Sequence, residues 1–591
     1  MRYIDPKNFR LKDNIDWKAQ AENMKEIAGI VGDIIKETDF KEVAKSMGKD
    51  AKGLKKRLGH ELDLLKNMSP EEVKDLVLNG EKQLGKLYAS GKMATVRREW
   101  RGIKDTGADF YEWTRMWAML LATFSKDLVP AMMGAVHYRW MISYFCCHSF
   151  MDKNTLGLRG RALKMHHELI YAIFRYVAEN LVLLMKADKK VGNSEELSKK
   201  IVLFDEMTMS QIMAGFPDLI GIPYQLMPVF LLSEIDQLAC MPYIDAVESY
   251  GLPSDTCPVP SSECGAAVVD ALPHMGACFI SSSMPCDGSV MASSYTSRRF
   301  RDLPTYHLAF PVRYEDESIM DAAVKDIRGC IRFIEENTGA KWNWDAYFAA
   351  MKRFNEETKY ELQKWEINQT PHPQLIGPCY ELFRKWNYEM DGGLDPRIIS
   401  TFQKVDKLMM KAYEKKDEPW RGKMKYRAIV WSIPAHYYAN FSNWMANCWG
   451  VDILVEMESL NYTKPLETKD QDEALKDLAR LYERMVMRRH TNGGYDHVVT
   501  ELWRQCELWN VDFVLMYQHV SCKNMATVQG LFEDQARERG IKLLWVSHDL
   551  MDPRTVSRKD MRATVNEFMR TVMKAEPVDP SLEDFEDDAS W

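Results

Sequence analysis

Four short apolar runs near the C-terminus, residues 428–431, 451–455, 511–517 and 541–546, are bounded by polar residues and separated by stretches of helical spacing. A run that short and apolar on both faces reads as a strand buried inside a parallel sheet. Parallel neighbours need a crossover of a dozen or more residues, usually a helix, so this part of the chain is expected to be α/β. The pattern has an earlier counterpart. Residues 201–204 form a short apolar run, followed by a helical stretch at 207–214 and the breaker Gly215-Phe216-Pro217. Residues 245–310 are rich in Pro, Gly, Ser and Cys, and short runs such as 277–280 alternate there with helix-like pieces, as in a small parallel α/β domain.

The rest reads as helical. Apolar and charged positions alternate at three-and-four spacing through 19–38 and 70–87, and Ser69-Pro70-Glu71-Glu72 resembles an N-cap with proline at the first helical position. Stretches 113–121 and 163–185 are apolar enough to be buried helices, and helical spacing returns at 319–337 and 344–365. The expected organisation is a helical region at 1–195, a first α/β domain at 196–315, a helical segment at 316–420, a second α/β domain at 421–578 and an acidic tail at 579–591. The fold class is α/β: two Rossmann/flavodoxin-like parallel-sheet domains with helical insertions, plus an all-helical N-terminal region.

At 591 residues the chain is too long for one core. A net charge of −8 gives no reason to expect nucleic acid, and 37 methionines and 17 tryptophans suit broad apolar pockets. The N-terminal stretch is polar and lacks the apolar segment of a secretory signal. The most hydrophobic stretch, 117–145, is interrupted by Lys126, Asp127, His137 and Arg139, so no run is expected to reach bilayer length. Twelve cysteines without a secretory signal read as reduced thiols, metal ligands or buried small hydrophobes, and the cytoplasm is the expected compartment.

Three of those cysteines share a setting. Cys286 closes an apolar run directly before Asp287, Cys264 lies 22 residues upstream, and Cys522 follows the run at 511–517. Thiols at the C-terminal tips of buried strands stand where α/β proteins build ligand sites, so the three suggest one shared metal or cluster site. The alternative for each is a core-filling thiol. That reading fits Cys146, Cys147, Cys240, Cys330 and Cys506, and Cys448 reads as lying on a helix against the second sheet. Cys257, Cys278 and Cys379 fit either reading. No CxxC pair occurs, which disfavours zinc ribbons and ferredoxin-type clusters.

Residues 259–356 resemble the subunits of 2-hydroxyacyl-CoA dehydratases and ATP-dependent benzoyl-CoA reductases. The resemblance rests on Val259-Pro260-Ser261-Ser262-Glu263-Cys264, read as a cysteine after a proline-containing strand end. It rests also on Cys286-Asp287, the run 306–311, Glu336-Asn337-Thr338-Gly339 and Asn355-Glu356. It continues through 426–431, 510–523, Gly540-Ile541-Lys542-Leu543-Leu544, Asp549 to Arg562 and Asn566-Glu567-Phe568, covering roughly 200–578 in the family's order. The resemblance implies a 4Fe–4S cluster held by Cys264, Cys286 and Cys522, with one iron left open. It implies a homologous or identical second subunit, an ATP-hydrolysing activator that supplies one electron at low potential, and an acyl-CoA substrate. The implied chemistry is a substrate ketyl radical anion that loses a hydroxyl group or takes up a proton on an aromatic ring. The first 200 residues exceed what typical subunits of the family carry.

Glu206 stands where the family places an acidic residue near the substrate; the alternative is a first-turn glutamate favoured by the helix dipole. His519, three residues before Cys522, is positioned to donate a proton or hydrogen bond to a cluster sulfide, or else to be satisfied by backbone. Asp287 reads as a helix cap. His548, Asp549, Asp552 and Arg554 read as a solvated loop, with Arg554 or Arg558 within possible reach of an acyl-CoA phosphate, and His166-His167-Glu168 as a helix surface. Two further functions compete: a double-cubane reductase with Cys257 or Cys278 as added ligands, and a non-catalytic electron-relay subunit. No GxxxxGK[ST] string occurs, so ATP is not expected to bind here.

Overall fold

A computed structural model describes residues 101–205, 210–282, 288–292, 303–309, 317–377, 394–457, 464–483 and 495–584, with a few isolated positions nearer the N-terminus. The chain enters through α1 (Ile103–Phe124), α2 (Leu128–His137) and the long α3 (Gly160–Ala187). Strands β1 (Ile201–Phe204) and β2 (Ile220–Pro223) follow, then α4 (Met241–Ser249), α5 (Pro258–Val268), β3 (Cys278–Ser282) and β4 (Thr305–Leu308). After α6 (Glu317–Thr338), α7 (Trp344–Asn368) and α8 (Arg397–Lys415) come β5 (Tyr426–Trp431), α9 (Phe441–Trp449) and β6 (Val451–Glu456). The last elements are α10 (Gln471–Glu483), α11 (Tyr495–Trp509), β7 (Phe513–His519), α12 (Gln529–Arg539), β8 (Leu543–His548) and α13 (Arg558–Thr571).

The eight strands form two four-stranded sheets, ordered β2-β1-β3-β4 and β6-β5-β7-β8, and every pairing is parallel. In chain order both sheets therefore run second, first, third, fourth. Each reverses its strand order between the first and third strand, which is where open parallel sheets bind ligands.

Strand periodicity assigns the two faces of each sheet to different cores. Ile201, Leu203 and Phe279 of the first sheet and Ile429, Trp431, Val514 and Met516 of the second belong to one continuous core with α1 and α3. Val202, Phe204, Cys278 and Ile280 pack instead against Met320, Ile327, Cys330 and Ile334 of α6. Ala428, Val430, Leu515 and Tyr517 pack against Trp444, Cys448 and Trp449 of α9 and Met561 and Val565 of α13. Strands buried on both faces explain the uninterrupted apolar runs.

Four sequence expectations need correction. The helical continuation through Ile103–His137 spans 35 residues and is long and apolar enough to cross a membrane by length and composition, because a 3-10 turn at Ser125–Asp127 carries α1 straight on into α2. One side of it, including Met116, Met119, Leu120 and Phe124, is buried in the protein. His166 and His167 are not a helix surface: both are buried in α3, where His167 Nε2 lies 3.0 Å from Asp109 Oδ1. Cys264 does not end a strand but sits within α5, because Pro258 occupies the first helical position, where its missing N–H costs nothing. Finally, β2 was unforeseen. Its four residues include a glycine and a proline, which mark it as an edge strand of low intrinsic preference.

Candidate functional site

The richest chemistry gathers at the C-terminal edge of the second sheet. Pairing of β5 with β7 stops at Trp431 and Met516, whereas β7 and β8 stay paired three residues further, to His519 and His548. The chain leaves β5 through Ser432, which is buried with a φ of 72°. A side chain in that left-handed region costs about 1–2 kcal/mol, and the turn parts β5 from β7 at the reversal point of the sheet.

His519 and His548 end adjacent strands with ring centroids 5.6 Å apart. Their relative exposures are 5% and 0%. Burial pushes the His519 imidazole down to about 3, with the neighbouring His548 adding to it, and pushes His548 down to about 4. Both rings are neutral at physiological pH. His519 Nε2 lies 3.2 Å from Cys257 Sγ, and backbone groups of Ile433, Val546 and Gln518 face the His548 ring. Beneath them Ser521 Oγ donates to Asp549 Oδ2 at 3.2 Å, and burial pushes the Asp549 carboxyl up to about 6. The residues read as a solvated loop are thus largely interior: His548 and Asp549 are 0% and 2% exposed, and Asp552 is 9% exposed. Arg554 is engaged by Asp552 and, across the molecule, by Asp245 of α4 at 2.7 Å.

Cys257 comes from the first α/β segment. It occupies the N-cap of α5 and is half-buried, as is Cys522, the N-cap of the short turn Lys523–Thr527. Lys523 Nζ stands 3.5 Å from Asp255, so two contacts lay the segment before α5 along the end of β7. The helix is held in turn by α4. Gly265 lies so close to it that a Cβ would overlap the backbone carbonyl of Tyr243.

The three thiols expected to act together are therefore placed differently. Cys286 lies outside the described residues, as do Asp287 and Glu206. Cys522 stands at the strand-end edge. Cys264 lies seven residues beyond Cys257 on α5, ~10 Å along the helix. It is 2% exposed, packed with Val247 and Ala292, and burial pushes its thiol up to about 12, with Glu263 adding to the effect. Cys278 is likewise interior, pushed up to about 12 by burial and sharing a core with Cys330. Among the described residues, no three His, Cys, Asp or Glu side chains converge as a complete metal site. Ser432 is the site residue that sequence reasoning missed; Cys257 was named only as an added ligand of the double-cubane alternative, and His548 only as part of a solvated loop. For Cys257 the available signal was the following proline, which marks the residue before it as a helix cap.

Two parallel sheets of identical order, the second with buried imidazoles and a thiol at its strand ends, define an α/β protein with a candidate site at a reversal point. A family model, that of the 2-hydroxyglutaryl-CoA dehydratase D-component, matches residues 239–572, more than half of the chain. The chain belongs to this family and is a dehydratase-type enzyme component. The match begins after β2, so the N-terminal helices and the first two strands lie outside it. No curated protein matches the chain.

Proposed function

We propose that this chain is the cluster-bearing subunit of a low-potential dehydratase acting on an acyl-CoA thioester. Its electrons come from an ATP-hydrolysing activator, and a homologous or identical second subunit completes the enzyme. The observation that carries this reading is the meeting of half-buried Cys257 with His519 at the strand end leading to Cys522, inside the region matched by the dehydratase family. An iron–sulfur cluster needs anionic sulfur ligands open to the site. Cys257 and Cys522 fit that requirement, and Cys264 does not, because its thiolate would be stranded among apolar side chains. The proposed thiol set is Cys257 and Cys522 together with Cys286, with Cys264 as a core residue.

When bound, such a cluster supplies single electrons at low potential and one open iron as a Lewis acid. The protein's own residues do the rest. The strand-end edge presents neutral imidazoles that donate or accept a hydrogen bond without bringing charge. The turn at Ser432 holds the β5 and β7 ends apart, and the buried Asp549 is an acid that titrates near neutral pH.

The test is iron and acid-labile sulfide per chain on anaerobically purified protein, with single alanine variants of the four cysteines. About four irons in the parent are expected, lost in Cys257→Ala, Cys286→Ala and Cys522→Ala and retained in Cys264→Ala. Loss in Cys264→Ala with retention in Cys257→Ala would restore the original assignment. An iron-free parent would remove the cluster reading altogether.

A further inference from the structure

β7 leaves its sheet through a four-residue turn. Cys522 N–H donates to His519 O at 3.0 Å, closing the turn with Ser521 at its third position, and Val520 N–H donates across to His548 O at 2.9 Å. The side chain of Ser521 adds a second tie to β8, because its Oγ donates to Asp549 Oδ2 at 3.2 Å. Asp549 is 2% exposed, and its Oδ1 accepts from the backbone N–H of Met551 at 3.1 Å and of Asp552 at 2.9 Å. A carboxyl group that caps its own backbone in this way is held in one orientation. The backbone beside it is anchored too, since Leu550 O accepts His436 N–H at 2.8 Å from the loop after β5. The turn at 549–552, which carries no thiol, thus ties the exits of three strands to one another.

We propose that Asp549 is a positioning residue for Cys522, acting through Ser521. Capping of its own turn uses only Oδ1; Oδ2 is spent on the exit of the neighbouring strand, on the residue directly before the thiol. That tie fixes the backbone from which Cys522 leaves, at the N-cap of Lys523–Thr527. Without it the turn after Val520 is closed by its own backbone bond alone, and it opens more often. A ligand held in place before its metal arrives spares the cost of ordering it on binding, which is how groups behind a ligand tune affinity. Asp549 therefore acts on the site at one remove.

The inference rests on Cys522 being a site thiol, and its test is arranged so that the two can fail separately. The first measurement is hydrogen–deuterium exchange, read by mass spectrometry on the iron-free full-length chain. Ser521→Ala is expected to speed exchange in peptides covering 519–523 by about two- to tenfold, the range that loss of one ordinary hydrogen bond allows, while peptides of α5 keep the parent rate. Ser521→Thr, which retains the hydroxyl, is expected to match the parent. In an Asp549→Ala background, Ser521→Ala should add nothing further, because the two residues share one bond. The second measurement is the rate at which the iron-loaded chain yields iron to a chelator. A rise by a similar factor is expected in Ser521→Ala and not in Ser521→Thr. Unchanged exchange at 519–523 in Ser521→Ala overturns the proposal, as does an equal rise along the whole chain, which marks a general loss of stability. Faster exchange with unchanged iron release overturns the role toward the metal. If Asp549→Ala does not fold, the two Ser521 variants decide the matter. Failure of the parent to load iron counts against the cluster reading and leaves the exchange result standing.

Discussion

The two sheets share one strand order and differ in how the first strand meets the third. In the first sheet the residue after β1 stays engaged: Asp205 N–H donates to the carbonyl of Ile280 at 3.1 Å, and its carboxylate accepts from Ser281 Oγ at 3.2 Å. In the second sheet the equivalent residue, Ser432, takes a left-handed turn, and β7 runs on beside β8 alone. The first sheet is closed by polar contacts where the second is parted, and the second carries the buried imidazoles. Thiols follow the same repeat. Cys286 lies four residues after β3 and Cys522 three after β7, each following the third strand of its sheet. The two thiols thus share a sequence offset from the third strand, while helix α5 brings Cys257 from the first half to the edge of the second.

The comparison can be broken most severely at α5. Gly265→Ala drives a Cβ into the Tyr243 carbonyl, and because backbone cannot yield as a side chain can, α5 must shift. A loss of more than about 3 kcal/mol by chemical denaturation, together with loss of bound iron, is the expected outcome. Core truncations come next. Leu203→Ala in the first sheet and Ile429→Ala in the second, both in the shared core, should each cost about 2–5 kcal/mol and lower a single transition. Two separated transitions by fluorescence and circular dichroism would show that the sheets unfold independently.

Asp452, fully buried on β6 with Trp420 Nε1 donating to it at 3.2 Å, gives a third test. Burial pushes its carboxyl up from 3.8 to about 8. The unfolded chain ionises first, so the stability contributed by the neutral acid is complete below about pH 4 and is lost as pH rises toward about 8. Asp452→Asn should flatten thermal stability across that window; an unchanged slope would mean the group is already ionised in the fold. The smallest effect is expected at the exposed pair Lys523–Asp255, where Asp255→Ala should cost about 0–1 kcal/mol and fade with salt. A larger loss there would mark the contact as essential to seating Cys257 on the end of β7.

Much of the architecture was legible because buried parallel strands leave uninterrupted apolar runs. Residues 451–455 and 541–546 read as strands and are strands, within two residues at their ends. The site was less legible, for reasons that are physical. The segment from Val259 to Cys264 carries a proline and reads as extended, but proline is tolerated in the first helical turn, so Cys264 lies inside a helix and Cys257 at its cap. His548 and its neighbours are polar and follow a strand, yet the overrun of β7 and β8 carries them inside. Burial of that kind depends on which strands stay paired beyond the common edge, and no local pattern records it. The order of strands within each sheet, and hence the shared plan of the two halves, was likewise visible only in three dimensions.

The contact between Cys257 and His519 joins residues 262 positions apart. Closing so long a loop comes late, because the second sheet must first be made and packed before it can receive the end of α5. A chain emerging from the ribosome with β1 to β4 complete holds Cys257 with its partner not yet synthesised. Completion of the contact between Cys257 and His519 is therefore a post-translational event, timed by the folding of the C-terminal third.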